Sequence, residues 1–223
     1  MKLAAIIVAA GSSRRMGFDK LLATLGSKAV LEHSIQAFLS CEDVEEIVVV
    51  CPKERFDALD LESLTSSGKK IRRVNGGRDR HDSVAAGLSL LEDNADIDYI
   101  AVHDGARPLI ANSQISIVFH DAQIYRCSAS ARQVTETVKR ANAEDVVIEA
   151  VDREQLWLME TPQIFQADLL KEAYQHVLSQ GARVTDEVSA LELIGCSTHL
   201  VPNPGPNPKI TYPHDIVQAE KFL

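Results

Sequence analysis

Apolar residues run unbroken from Leu3 to Ala10 and stop at Gly11. A run this short, β-branched at its centre and closed by glycine, reads as a buried strand over residues 3–9 that feeds a loop. The period then changes. Val30, Leu31, Ser34, Ile35, Phe38 and Leu39 recur at helical spacing. A second strand is predicted over 46–51, and Pro52 is placed for the first turn of a helix. Residues 71–74 give a short third strand. Val84, Leu88 and Leu91 stand at i, i+4 and i+7, which predicts a helix over 79–91. Residues 99–103 give a fourth strand, and Asn112 is placed to cap a helix reaching about residue 125.

Strands alternating with helices of ten or more residues make βαβ units. The fold class is therefore α/β, Rossmann-like, with a mostly parallel sheet and helices on both faces. In such sheets ligands sit beyond the carboxyl ends of the strands. Gly11, Asn75-Gly76-Gly77 and Asp104-Gly105 all fall at those ends, so three loops meet at one edge. The pattern changes again over 136–157, where two β-like runs flank polar residues 141–145 and read as a hairpin. A hairpin has little of its own to pack against. The expectation is one domain over 1–223, with 136–157 as a protruding β-arm that covers another surface, such as a second subunit. The alternative is an arm folded back on its own domain. The proline-rich stretch 202–208 reads as an ordered surface loop.

Composition narrows the partners. At 223 residues the chain can bury a substantial core. Its net charge of −9 argues against a broad nucleic-acid or membrane surface, so any anion must be held in a local basic pocket. The run from Leu3 to Ala10 is too short to span a bilayer and its flanks fit a signal peptide poorly. Cys41, Cys51, Cys127 and Cys196 are scattered with no C-x-x-C pair, as expected of reduced thiols in a cytoplasmic protein.

The candidate chemistry lies in the loops. Gly11-Ser-Ser-Arg-Arg-Met-Gly17 matches neither G-x-x-x-x-G-K-[ST] nor G-x-G-x-x-G. It is a small-residue turn with Arg14, Arg15 and Lys20 close behind, suited to charge building on a phosphorus centre and a leaving pyrophosphate. At the fourth strand's end, Asp104 is a carboxylate of the kind that holds Mg²⁺ against triphosphate oxygens, and Arg107 is placed for a second phosphate. His103, inside the strand end, reads as a structural histidine. Gly76 and Gly77 leave room for a base on the backbone, with Ser83 in the following helical turn to meet a base edge. Lys209 to Thr211 reads as a short strand carrying a further cation, and Thr185-Asp-Glu187 opens a helix. No Ser, Cys or His stands out as an activated nucleophile.

Taken together, these motifs resemble the 2-C-methyl-D-erythritol 4-phosphate cytidylyltransferases of the non-mevalonate isoprenoid pathway. The residues that carry the resemblance are Ala9-Ala-Gly-Ser-Ser-Arg-Arg-Met16, Lys20, Gly76-Gly77-x-x-Arg80-x-x-Ser83-Val84, His103-Asp-Gly-Ala-Arg-Pro108, Val151-Asp-Arg153, Thr161-Pro-Gln163, Thr185-Asp-Glu187 and Asn207-x-Lys209-Ile-Thr211. Molybdenum-cofactor cytidylyltransferases and other sugar nucleotidyltransferases carry near copies of the first motif. The ordered set spans essentially the whole chain and is specific.

The resemblance implies a fold of the nucleotide-diphospho-sugar transferase type and a homodimer. It implies transfer of CMP from CTP to a polyol phosphate, with Mg²⁺ or another hard divalent cation, by direct attack on the α-phosphorus. Arg15 and Lys20 would stabilise the transition state, joined by Arg153 and Lys209 as catalytic groups. Ala10, Gly11, Gly77, Ser83, Asp104 and Gly105 would surround CTP, with Asp104 holding the metal. Arg107, Thr161 and Lys209 would face methylerythritol phosphate, and Thr137 and Arg153 would reach the neighbour's site on the arm. The alternative is another acceptor, ribitol 5-phosphate or molybdopterin. Asp19 departs from the Pro-Lys-Gln of many members and is placed to pair with Lys20.

Overall fold

The computed structural model describes residues 1–13, 16–65, 68–92, 94 and 96–223. The apolar run becomes β1 (Leu3–Val8), and its lack of alternation has a physical cause: both faces are covered. Leu3, Ala5 and Ile7 join one core, whereas Ala4 and Ile6 join the other. A small antiparallel pair, β2 (Thr24–Leu25) and β3 (Lys28–Ala29), leads into α1 (Val30–Leu39). Next come β4 (Val44–Val50), short helices α2 (Lys53–Asp57) and α3 (Leu61–Thr65), and β5 (Lys70–Val74). Helix α4 (Arg80–Leu91) precedes β6 (Tyr99–Asp104), and α5 (Asn112–Tyr125) precedes β7 (Cys127–Gln133). Two exposed strands follow, β8 (Val138–Ala141) and β9 (Val147–Val151), then β10 (Trp157–Gln166). The chain closes with α6 (Ala167–Gln180), α7 (Glu187–Glu192), β11 (His199–Pro202) and α8 (Pro213–Ala219).

The seven-stranded sheet runs β11-β7-β10-β6-β1-β4-β5. It is mostly parallel; β10 alone runs against both of its neighbours. Ile35, Phe38, Ile115 and Phe119 of α1 and α5 pack on one face. Val84, Leu88, Leu170 and Tyr174 of α4 and α6 pack on the other. The register brings strand ends level. Val8 pairs with both Val50 and Asp104, and Val50 pairs with Val74. The loops that follow these ends therefore share one rim.

Two expectations are corrected. Ala111, not Asn112, is the N-cap of α5; Asn112 is the first helical residue and its amide donates to Ser40 O at 3.4 Å. Lys209 to Thr211 is irregular, because its main-chain link to the rim is the Ile210 N–H to Ala106 O at 2.8 Å. β10 also carries a bulge. Met159 pairs with Ala131 and Gln163 with Ala129, so β10 has extra residues between them, which turn Glu160 and Thr161 inward.

β7 and β10 are sheet neighbours, and their ladder extends to the Val134 N–H on Leu156 O at 3.0 Å. The chain between them holds β8 and β9, paired from Val138↔Val151 to Ala141↔Val147. These strands are exposed almost throughout; Val147 and Ile148 are 60% and 59% accessible. Among the described residues, no helix is long and apolar enough to cross a membrane. All four cysteines are free thiols, and Cys41, Cys51 and Cys127 are buried.

Candidate active site

The three rim loops enclose a cavity of about 740 Å³, within the usual range for small-molecule sites. Ala10, Gly11, Ser12 and Ser13 form one wall. Among the described residues, the backbone N–H groups of these four donate to no other group. Unpartnered main-chain N–H groups in a tight turn make an anion cradle. A Cβ on Gly11 would meet nothing within 4 Å, so this glycine opens onto the cavity. Gly17 has φ +74°, a conformation side chains resist, and it turns the chain back toward Lys20. Arg15, with Arg14, lies outside the described residues.

Lys20 and Lys209 both line the cavity. The Lys20 ammonium donates to Ile210 O at 2.6 Å, while the Lys209 ammonium lies 2.6 Å from Asp104 Oδ2. Asp19 does not take Lys20 as its close partner: its Oδ1 accepts the Leu21 N–H and its Oδ2 pairs with Arg55 at 2.7 Å.

Asp104 ends β6 with its carboxylate on the cavity wall. Burial by itself would raise its pKa. Arg80, at 3.2 Å from Oδ1, then Lys209 and Arg107 outweigh burial and hold the carboxyl well below the usual carboxylate range. It is therefore ionised across the working pH range. A single ionised carboxylate facing a phosphate-sized space fits Mg²⁺, which takes one or two carboxylates and draws its other ligands from phosphates and water. Asp79, His81 and Asp82 also cluster at the start of α4.

Behind Asp104 lies a buried relay. The Asp104 N–H donates to Thr161 Oγ1 at 3.1 Å, and Thr161 in turn donates to His103 Nδ1 at 3.0 Å. The opposite ring nitrogen faces Arg107 O at 3.2 Å. A carbonyl only accepts, so Nε2 carries the hydrogen and Nδ1 is the acceptor. Burial pushes the His103 pKa down to about 4, against the raising effect of Asp104, which keeps the ring neutral. His103 is thus structural. The Thr161 hydroxyl is turned to this relay and away from the cavity.

Arg107 ties loops together: it donates to Asn207 O at 2.6 Å and Met159 O at 3.3 Å. Its Nε is buried without a partner among the described residues, 4.0 Å from Asp104 Oδ2. Gly105 is not in the cavity lining. A Cβ there would come within 2.8 Å of Leu31, so this glycine lets α1 pack on the strand end.

Gly77 and Ser83 also line the cavity. Ser83 Oγ accepts the Gly77 N–H and donates to Asp79 O, both at 3.2 Å, and so shapes this loop. Gly76 permits close approach: a Cβ there would lie 2.2 Å from the Ala10 side chain. Thr137 and Arg153 are exposed in the 134–156 connection and do not line the cavity. Arg153 donates to Thr135 O within that connection.

Two groups that motif reading left out of the site support it. Arg80 forks onto the fully buried Glu187 at 2.6 and 3.0 Å, and Tyr174 donates to the same carboxylate at 2.9 Å. Gln163 Oε1 accepts the Glu187 and Val188 N–H groups, fixing the start of α7. The signal was the Thr185-Asp-Glu187 motif. The other is Arg55, buried beneath the glycine loop, for which the sequence offers no local signal.

A glycine turn after the first strand of an α/β sheet, facing two lysines and an ionised carboxylate across a nucleotide-sized cavity, defines a nucleotidyltransferase. Residues 3–223 match the family model IspD, 2-C-methyl-D-erythritol 4-phosphate cytidylyltransferase, and the chain belongs to that family. It is 35% identical over 227 residues to the 2-C-methyl-D-erythritol 4-phosphate cytidylyltransferase of Caldanaerobacter subterraneus subsp. tengcongensis, covering 100% of this chain and 99% of that one. It is 37% identical to the protein of the same name from Vibrio vulnificus, covering 99% and 94% of the two chains. The crystal structure of the Francisella tularensis 2-C-methyl-D-erythritol 4-phosphate cytidylyltransferase superposes with a TM-score of 0.86 at 28% identity, covering 100% of both chains.

Proposed function

We propose that the protein transfers CMP from CTP to 2-C-methyl-D-erythritol 4-phosphate, releasing pyrophosphate. The observation that carries this reading is the placement of Asp104, Lys209 and Lys20 around a cavity walled by four unpartnered backbone N–H groups. Family membership supports the choice of nucleotide and acceptor.

The acceptor phosphate attacks the α-phosphorus in line, without a covalent enzyme intermediate. Catalysis then consists of positioning and charge stabilisation. The N–H groups of Ala10 to Ser13 hold triphosphate oxygens, and Lys20 with Arg15 meets charge building at the α-phosphorus. Asp104 would hold Mg²⁺ in the place now taken by the ammonium of Lys209, which is 44% exposed and would then pair with a phosphate. When bound, the cation neutralises triphosphate charge and favours departure of pyrophosphate. Gly77 and Ser83 flank the nucleoside. Gly105 and Thr161 act through Asp104, by setting the strand end and the relay behind it. Arg107 does not line the cavity; it would act by holding loops 159 and 207 in place beside the acceptor.

The arm supports a homodimer. Val147 and Ile148 leave apolar surface open on it, and Thr137 and Arg153 do not reach the cavity of their own chain. We assign both to a partner's site, in a cytoplasmic enzyme.

Purified protein assayed for pyrophosphate with CTP, Mg²⁺ and each acceptor in turn tests the reading. Turnover is expected with methylerythritol phosphate and not with ribitol 5-phosphate or molybdopterin. Turnover with either of these and none with methylerythritol phosphate overturns it.

A further inference from the structure

We infer that Arg55 is a positioning residue for nucleotide binding, holding the glycine loop in its anion-accepting form from beneath. This rests on the proposed use of CTP. Arg55 lies in α2, far along the chain from the loop, and is 8% exposed. Its guanidinium donates in three directions: to Ala9 O, to Gly11 O at 3.1 Å, and through Nε to Asp19 Oδ2 at 2.7 Å. Ala9 and Gly11 begin the loop and Asp19 closes it, immediately before Lys20. One planar group therefore ties both ends of the segment that carries the proposed catalytic cations.

The chemistry explains why a buried arginine is suited here. A turn that points its N–H groups at an anion must point carbonyl oxygens elsewhere. Those oxygens would repel phosphate if they swung into the cavity. Arg55 collects two of them on its hidden side, and its rigid fork fixes their direction in a way that a lysine ammonium does not. The Asp19 carboxylate accompanies this buried charge. It thereby takes the role of anchoring the loop end instead of tempering Lys20.

The test measures CTP affinity by calorimetry and KM for each substrate in the parent, Arg55→Ala, Arg55→Lys and Asp19→Asn. Arg55→Ala and Arg55→Lys are each expected to weaken CTP binding about 10-fold or more, with KM for methylerythritol phosphate within about twofold of the parent. Asp19→Asn, which keeps both carbonyl contacts, should weaken it about threefold. Millimolar guanidinium should restore CTP affinity to Arg55→Ala and leave the parent unchanged. A purely structural role would lower thermal stability and active fraction while leaving the CTP constants of the folded protein alone, and that result overturns the inference. So does a folded Arg55→Lys that binds CTP like the parent. Should the Arg55 variants not fold, Asp19→Asn decides: a CTP constant within twofold of the parent counts against it. Absent turnover in the parent would refute the proposed reaction, while calorimetry would still read the role of Arg55.

Discussion

Thr161 places one hydroxyl between the Asp104 N–H and His103 Nδ1, so a single oxygen satisfies two buried groups. Removing it leaves both without a partner. Thr161→Val, nearly isosteric, is expected to lower stability by about 1–3 kcal/mol, and Thr161→Ser to restore most of the loss. Urea unfolding of the three proteins measures this; a Val variant as stable as the parent would show that the relay does not stabilise the fold. At this scale the sequence was informative where chemistry is local. Lys20, Asp104 and Lys209 are two cations and a carboxylate carried by short loop motifs, and the structure brings all three to one cavity. Glu187 was legible as part of a motif but not as the partner of Arg80, and Arg55 was not legible at all. The partners of Arg55 are two main-chain carbonyls and Asp19, all distant in the chain, and no spacing rule marks such contacts.

At the scale of elements, the strands with strong apolar runs were predictable because burial on both faces removes polar alternation. β7 was not read: Cys-Ser-Ala-Ser-Ala-Arg-Gln consists of small and polar residues and takes its conformation from the ladders with β10 and β11. The bulge in β10 was equally hidden, since it is defined by register with β7. The exposed pair β8–β9 bears the dimer proposal. Arg153→Ala and Asp104→Ala, each inactive alone, are expected to recover part of the parent's turnover when mixed and allowed to exchange subunits. One site in each mixed dimer then has both residues intact. Pyrophosphate release measures recovery, and none after demonstrated exchange would show that the site is not shared.

For the whole molecule, burial sets an alkaline limit. Burial pushes the Cys51 thiol up to about 11, only partly offset by Arg55 and Arg73, and the Cys127 thiol up to about 11 as well. Both thiols stay protonated in the fold while the unfolded chain ionises from about pH 9. The unfolded state then binds fewer protons, so stability falls as pH rises from about 9 to 11, by roughly 2 kcal/mol per thiol. Urea unfolding at pH 8.5, 10 and 11 should show a steeper decline in the parent than in Cys51→Ala/Cys127→Ala. Parallel declines would exclude the thiols as its source. The net charge of −9 and the basic cavity coexist because the lysines and arginines of the site are gathered at one rim.

That β7 and β10 lie side by side and antiparallel has an evolutionary consequence. A short turn after Val134 would have joined them, so residues 135–155 lie beyond a ladder already complete without them. Apart from Thr137 and Arg153, which are proposed to serve a partner's site, this segment can be lengthened, shortened or rewritten without disturbing the register of β7 on β10. Its length and most of its residues can therefore drift on their own clock while the rim that lines the cavity stands still.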